Sequence, residues 1–225
     1  MNPHAIAWWG FGKTVLAALT RLAIPIKMYG GERVPRVGSA VLALNHVDWI
    51  DIPVFGAMCP RRIVYVAKVE AHRTPLLGQV IRAMGTLAVR RGESDREAVR
   101  LARQAVRENQ VLGMFVEGTR QRSGEPGEAK PGAAMIAMQE GVPIVPGAIF
   151  GSQLWRPGNF APVSIAWGEP MRFDHLPTSS KGYREATAET EREIRRLWEF
   201  LRDMHRLGRP DAVPPRRATL PSRTG

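Results

Sequence analysis

The chain has 225 residues, 44% hydrophobic and 24% charged, with a mean hydropathy of -0.20, which suits one folded domain and excludes a disordered chain or a polytopic membrane protein. Its 32 Lys and Arg against 21 Asp and Glu give a formal charge of +11, which points to an anionic partner: nucleic acid, an anionic bilayer surface or a phosphorylated substrate. A single cysteine, Cys59, excludes an internal disulfide, and without a basic leader or a small-residue cleavage site a reducing, cytosol-facing location is expected.

Residues 5–24 carry Trp8, Phe11, Val15, Leu19 and Leu22 at helical spacing, with Lys13, Thr20 and Arg21 on the other face. Lys13 and Arg21 interrupt the apolar run short of the ~20 residues that cross a bilayer. The segment therefore reads as an amphipathic helix, packed on the domain or lying in a membrane interface. Pro25 ends it. Lys27 to Val34 is expected as an edge strand with an irregularity at Gly30-Gly31, and Pro35 to Ser39 as a turn. Ala40-Val41-Leu42-Ala43-Leu44 is a buried strand, and Asn45-His46-Val47-Asp48-Trp49-Ile50-Asp51 follows at its carboxyl end, where open α/β sheets place ligands. Pro53 argues against one regular helix holding both His46 and Asp51, which would set them about 140° apart around its axis. A loop can fold them together.

Ile63 to Ala67 is a second strand, followed by Lys68 and Glu70. Pro75 to Met84 fits a helix, and Thr86 to Val89 a strand that leads into Arg90-Arg91-Gly92. Ser94-Asp95-Arg96-Glu97 is a capping box for a helix to about Asn109, with Val99, Ala102 and Val106 facing inward. Val111 to Val116 is a strand delivering Glu117-Gly118-Thr119-Arg120, and the loop to Lys130 is expected to be mobile. Pro131 and Gly141 bracket a helix over 133–140. Val142 to Ile149 is a strand whose two prolines predict an edge position or a break. Val163 to Trp167 is the last strand, and residues 183–207 form a helix with Ile194, Leu197, Leu201 and Met204 as its buried seam. The Pro- and Arg-rich residues 209–225 are expected to be a disordered basic tail. The fold class expected is α/β, a mixed, largely parallel sheet flanked by helices, with an N-terminal amphipathic membrane-associating helix in residues 1–26.

Strand ends thus present His46 and Asp51, Arg90 and Arg91, and Glu117 and Arg120 at one edge. No Gly-x-Ser-x-Gly elbow exists, and Cys59 has no evident activating histidine, so an enzyme-bound acyl intermediate lacks a nucleophile. His46 can act as a base toward a substrate hydroxyl, Asp51 can orient it and stabilise its charge, and guanidinium groups can hold a phosphate in forked hydrogen bonds. A metal reading of His46, Asp48 and Asp51 lacks a second histidine or a cysteine. His4, His72, His175 and His205 read as surface residues.

Four segments in order, Asn45-His46-(x4)-Asp51, Gly85-Thr86-Leu87-Ala88-Val89-Arg90, Val116-Glu117-Gly118-Thr119-Arg120 and Val142-Pro143-Ile144-Val145-Pro146, resemble the motifs of the glycerophospholipid acyltransferase family, most closely its 1-acylglycerol-3-phosphate acyltransferase branch. The resemblance covers roughly residues 25–170, so residues 27–208 would form the acyltransferase domain. It implies transfer of a fatty acyl group from an acyl-CoA or acyl-carrier-protein thioester to the sn-2 hydroxyl of lysophosphatidic acid, without a metal or other cofactor. By that resemblance His46 is the base and Asp51 its partner. Glu117, Gly118, Thr119 and Arg120 line the acceptor's glycerol-phosphate site, Arg90 is a further phosphate contact, and Lys68 matches a basic, substrate-binding position found between the first two motifs in some members. Leu87-Ala88-Val89 departs from the usual aromatic and polar residues before Arg90, so another lysolipid, such as a lyso-aminolipid, is an alternative acceptor. The rival class, a nucleic-acid-binding module, rests on charge and the arginine-rich tail; zinc spacing, an aromatic RNP-like strand and a recognition helix are missing from the sequence. Positive charge suits an anionic membrane equally well, on its cytoplasmic face.

Overall fold

The strand Ala40–Leu44 (β2) lies at the middle of the sheet, and all five of its residues are fully buried. A run of small and branched apolar residues with no polar alternation is stable only where both sheet faces are covered. A computed structural model describes residues 17–68, 87–89 and 95–216, and only the backbone for 66–68, 87–89 and 95. The other strands are Ile26–Tyr29 (β1), Ile63–Lys68 (β3), Leu87–Val89 (β4), Val111–Phe115 (β5), Ile144–Phe150 (β6) and Val163–Trp167 (β7). The helices are Asp51–Met58 (α1), Asp95–Arg107 (α2), Gly132–Glu140 (α3) and Ser180–Arg206 (α4).

The sheet order is β1-β7-β6-β2-β5-β3-β4. From β6 to β4 every neighbouring pair is parallel, and β7 reverses against β6 while β1 runs parallel to β7. The sheet is thus mixed and largely parallel, as expected. Alternate residues serve opposite faces. Leu42, Leu44, Tyr65 and Trp167 pack with Phe55 of α1 on one side. Val41, Ala43 and Leu112 pack with Ala102, Val106, Ile136 and Ile194 from α2, α3 and α4 on the other. Because β2, β5 and β6 are adjacent and parallel, their carboxyl ends form a single ledge.

Several expectations change. The strand carrying Pro146, with Pro143 just before its start, is interior, between β2 and β7. Ile144 exchanges backbone hydrogen bonds with Met171, and Gly168 N donates to the Pro146 carbonyl. The N–H that Pro146 lacks would point to that same side, toward Gly168 just past the end of β7, so proline removes one donor at the margin of the β6–β7 ladder and none from the side facing β2. The loop after Glu117 is tied down: Trp198 Nε1 donates to Gly124 O at 3.1 Å, Ala129 N to Glu191 at 2.9 Å, and Arg195 to Pro126 O at 3.1 Å. The first part of the tail is docked as well. Lys27 and Tyr29 donate to the carbonyls of Arg209 and Pro210, and Arg33 donates to Pro214 O at 2.7 Å; residues 217–225 lie outside the described set. His205 is half-buried, with Nε2 2.9 Å from Ser164 Oγ and its ring against Phe150. Burial pushes its pKa down to about 4.

Of the amino-terminal helix, residues 17–23 are described and helical. Thr20 and Ile24 face the protein, whereas Leu19 and Leu22 are 57% and 77% exposed. Trp8, Phe11, Lys13 and Val15 lie outside the described residues, as does the helix expected over 75–84. Among the described residues no helix is long and apolar enough to cross a membrane.

Candidate active site

His46 and Asp51 meet at the carboxyl end of β2. The chain leaves the strand at Asn45, turns through residues 46–50 and enters α1 at Asp51. Pro53, in the first turn of α1, removes no helical hydrogen bond there. Asp51 Oδ2 lies 2.8 Å from His46 Nδ1 and also accepts from Val47 N at 2.6 Å and Asp48 N at 2.8 Å. Three donors on one oxygen of a fully buried side chain fit an ionised carboxylate. That arrangement puts the imidazole proton on Nδ1 and leaves Nε2 as the bare, basic nitrogen. The ring is fixed from its face too, since Phe115 stacks on it at 4.0 Å and 22°, and Tyr65 stacks on Phe115 at 5.8 Å and 8°.

Two buried polar side chains knit the ledge. Asn45 donates from Nδ2 to Ile149 O at 3.2 Å and accepts from Ile149 N at 2.8 Å, joining the ends of β2 and β6. Glu117, two residues beyond β5 and 3% exposed, accepts from His46 N through Oε2 at 2.8 Å and from Gly127 N through Oε1 at 3.0 Å. Glu117 therefore clamps the loop carrying His46 to the loop after β5; it does not pair with Arg120. Burial pushes its carboxyl up to about 7, against the opposing pull of these two N–H groups. Gln121 N donates to His46 O at 2.7 Å, a second tie between the same loops.

Gly118 follows at φ +71, a left-handed conformation that favours glycine. The turn it makes leaves Thr119 and Arg120 exposed, and Arg120 has no carboxylate partner among the described residues. Beside Gly118 lies a cavity of about 670 Å³, walled by Met114, Val116 and Met135 with Lys130 at Gly118. Lys68 is the last residue of β3, separated from β2 by β5. Arg90 and Arg91 lie outside the described residues, just past β4. Among the described residues no group of three or more His, Cys, Asp or Glu side chains could hold a metal ion.

The structure thus joins His46, Asp51 and Glu117 directly and sets Gly118, Thr119 and Arg120 on the adjoining turn. Sequence reasoning did not single out Asn45, Phe115 or Lys130 as site residues. A polar residue directly after an all-apolar strand was the available signal for Asn45; nothing in the sequence marks Phe115 as the ring behind His46.

A histidine-carboxylate pair on the loop of a parallel strand, flanked by an unpaired arginine and an apolar cavity, has the parts of a group-transfer site. The chain belongs to the acyltransferase family: residues 25–150 match the family described as Acyltransferase. It is 34% identical over 162 residues to the 1-acyl-sn-glycerol-3-phosphate acyltransferase of Limnanthes douglasii, covering 67% of this chain and 56% of that protein. It is 36% identical over 145 residues to the lyso-ornithine lipid O-acyltransferase of Pseudomonas aeruginosa, covering 63% and 52%. The chain spans about half the length of these curated relatives. Its fold resembles the crystal structure of the 1-acyl-sn-glycerophosphate acyltransferase PlsC from Thermotoga maritima, with a TM-score of 0.64 at 21% identity over 83% of this chain and 78% of that one.

Proposed function

We propose that the protein transfers a fatty acyl group from an acyl-CoA or acyl-carrier-protein thioester to the sn-2 hydroxyl of lysophosphatidic acid, giving phosphatidic acid at the cytoplasmic face of a membrane. The observation that carries this reading is the 2.8 Å contact of His46 Nδ1 with Asp51 Oδ2, which leaves Nε2 as the basic nitrogen on a loop tied at Gln121 N to the turn that bears Arg120. Nε2 takes the acceptor's proton as its oxygen attacks the thioester carbonyl. The tetrahedral intermediate then expels the thiolate, which recovers that proton from the imidazolium, so the ester forms without an acyl-enzyme. Asp51 keeps the tautomer and stabilises the transient positive charge. Arg120, with Arg90 and Lys68, holds the acceptor phosphate. Glu117, Gly118 and Thr119 shape its glycerol site, Glu117 by holding the His46 loop in place. The 670 Å³ cavity is of a size that takes a lipid chain. No metal or other cofactor takes part.

The 36% identity to a lyso-ornithine lipid acyltransferase favours a second acceptor class, a lyso-aminolipid. Purified protein given one acyl thioester and either lysophosphatidic acid or lyso-ornithine lipid separates the two. Lysophosphatidic acid is expected to react faster, and His46→Ala to lose about 10²- to 10⁴-fold in rate. An undiminished rate in the variant sinks the base assignment, and preference for the aminolipid replaces the acceptor.

A further inference from the structure

Large apolar side chains stand in solvent on three segments that touch one another. Leu19 and Leu22 are 57% and 77% exposed on the helical stretch 17–23, Trp49 is 46% exposed three residues after His46, and Leu154 and Phe160 are 61% and 60% exposed in the β6–β7 connection. Trp155 joins them: its Nε1 donates to Ala23 O at 3.2 Å, and its ring meets Trp49 edge-on at 6.3 Å. A helix that turns Thr20 inward and two leucines outward is reversed relative to one covering a core.

The connection is also built to hold its aromatic outward. Phe160 sits at φ +49, a left-handed conformation that costs a bulky residue about 1–3 kcal/mol. Asn159 enforces it, accepting from Arg156 N at 2.9 Å and Ala161 N at 3.0 Å while donating to Leu154 O at 2.9 Å. Strain spent on exposing a phenyl ring does nothing for folding. The charges on these segments fit an anionic surface. Arg21 is held by Ala57 O at 2.9 Å and Arg156 by Gln153 O at 3.0 Å, and neither cation has a carboxylate partner among the described residues. Among 17–24, 45–50 and 152–161 Asp48 is the sole acid.

We propose that Leu19, Leu22, Trp49, Leu154 and Phe160 form one docking face for an anionic lipid bilayer, with the Leu154–Phe160 loop as an inserted wedge additional to the amino-terminal helix. Aromatic and aliphatic tips enter the headgroup boundary while Arg21 and Arg156 meet lipid phosphates. Trp49 then brings the His46 loop to the bilayer surface. This face rests on the reading that the acceptor is a lipid, but it is measured without acyl transfer.

The test is flotation of the full chain with vesicles of phosphatidylcholine alone or with 30% phosphatidylglycerol (roughly physiological anionic charge). Leu154→Ser with Phe160→Gly should weaken partitioning at least about tenfold. Phe160→Gly alone should raise the melting temperature, because glycine accepts φ +49, and still bind vesicles less well. Arg21→Gln with Arg156→Gln should weaken binding to the anionic vesicles only. Unchanged flotation of the double variant overturns the proposal, as does a loss of binding accompanied by a lower melting temperature in Phe160→Gly. Wild-type protein that stays off both vesicles and self-associates with rising concentration would assign the face to a second copy and overturn it too. A wild-type protein that floats yet transfers no acyl group would refute the proposed reaction and leave this face standing.

Discussion

Replacing Glu117 by Gln tests whether a buried carboxylate holds the two catalytic loops together. Glu117 offers an acceptor oxygen to each of His46 N and Gly127 N, at 2.8 and 3.0 Å. Even when protonated the carboxyl keeps an accepting lone pair on each oxygen, whereas the amide NH₂ of Gln accepts nothing, so one N–H loses its partner at a cost of about 1–3 kcal/mol at either end of the pH range. The carboxylate carries an opposing, pH-dependent term. Its pKa rises from 4.5 to about 7 on folding, so between those values the folded protein binds more protons than the unfolded chain. The parent therefore loses stability as pH rises, by at most about 3 kcal/mol at about 1.4 kcal/mol per pH unit. Gln has no such term. Urea unfolding of both proteins, followed by tryptophan fluorescence at pH 5, 6, 7 and 8, should show the variant clearly weaker at pH 5 and the gap closing, or reversing, by pH 8. A gap that stays constant over this range would refute the buried-carboxylate account.

Asp51→Asn leaves a side chain of the same shape but weakens the tie to His46 Nδ1, and a loss of about 10²- to 10⁴-fold in acyl-transfer rate is expected with the melting temperature lowered only modestly; thiol release from the donor measures it. Arg120→Ala should raise the Michaelis constant for the acceptor about tenfold and leave that for the donor unchanged, as loss of a charged hydrogen bond to one substrate requires; equal effects on both would count against it. Gly147→Ala puts a Cβ 2.7 Å from Leu44 Cδ2 and 2.8 Å from Trp167 Cζ3. The overpacking should cost about 1–3 kcal/mol, seen as a lower melting temperature.

Much of this arrangement was legible in the residues. Five consecutive apolar residues ahead of Asn45-His46 read as a buried strand, and Pro53 already argued against one regular helix holding both His46 and Asp51. What stayed hidden depends on neighbours distant in sequence. Pro146 announces a missing donor, but not that β7 ends opposite it. Glu117 stands three residues from Arg120, an obvious pair on paper, yet its actual partners are backbone N–H groups of residues 46 and 127, which no side-chain pattern encodes. Helical spacing separated Leu19 and Leu22 from Thr20 without saying which side faces the protein. Arginine and proline in the tail suggested a solvated chain, but carbonyls beside the prolines are good acceptors for Lys27, Tyr29, Arg33 and Arg196.

That docked segment bears on how the molecule avoids joining its own copies. β1 is the outer strand on its side of the sheet, and an uncovered strand there can template pairing with another chain. Residues 209–216 run past it with prolines at 210, 214 and 215, and a peptide so poor in N–H groups cannot itself extend a sheet. The side chains of Lys27 and Tyr29 are tied to this strap, so the same contacts that anchor the end of the chain set beside the outer strand a segment that cannot itself extend the sheet.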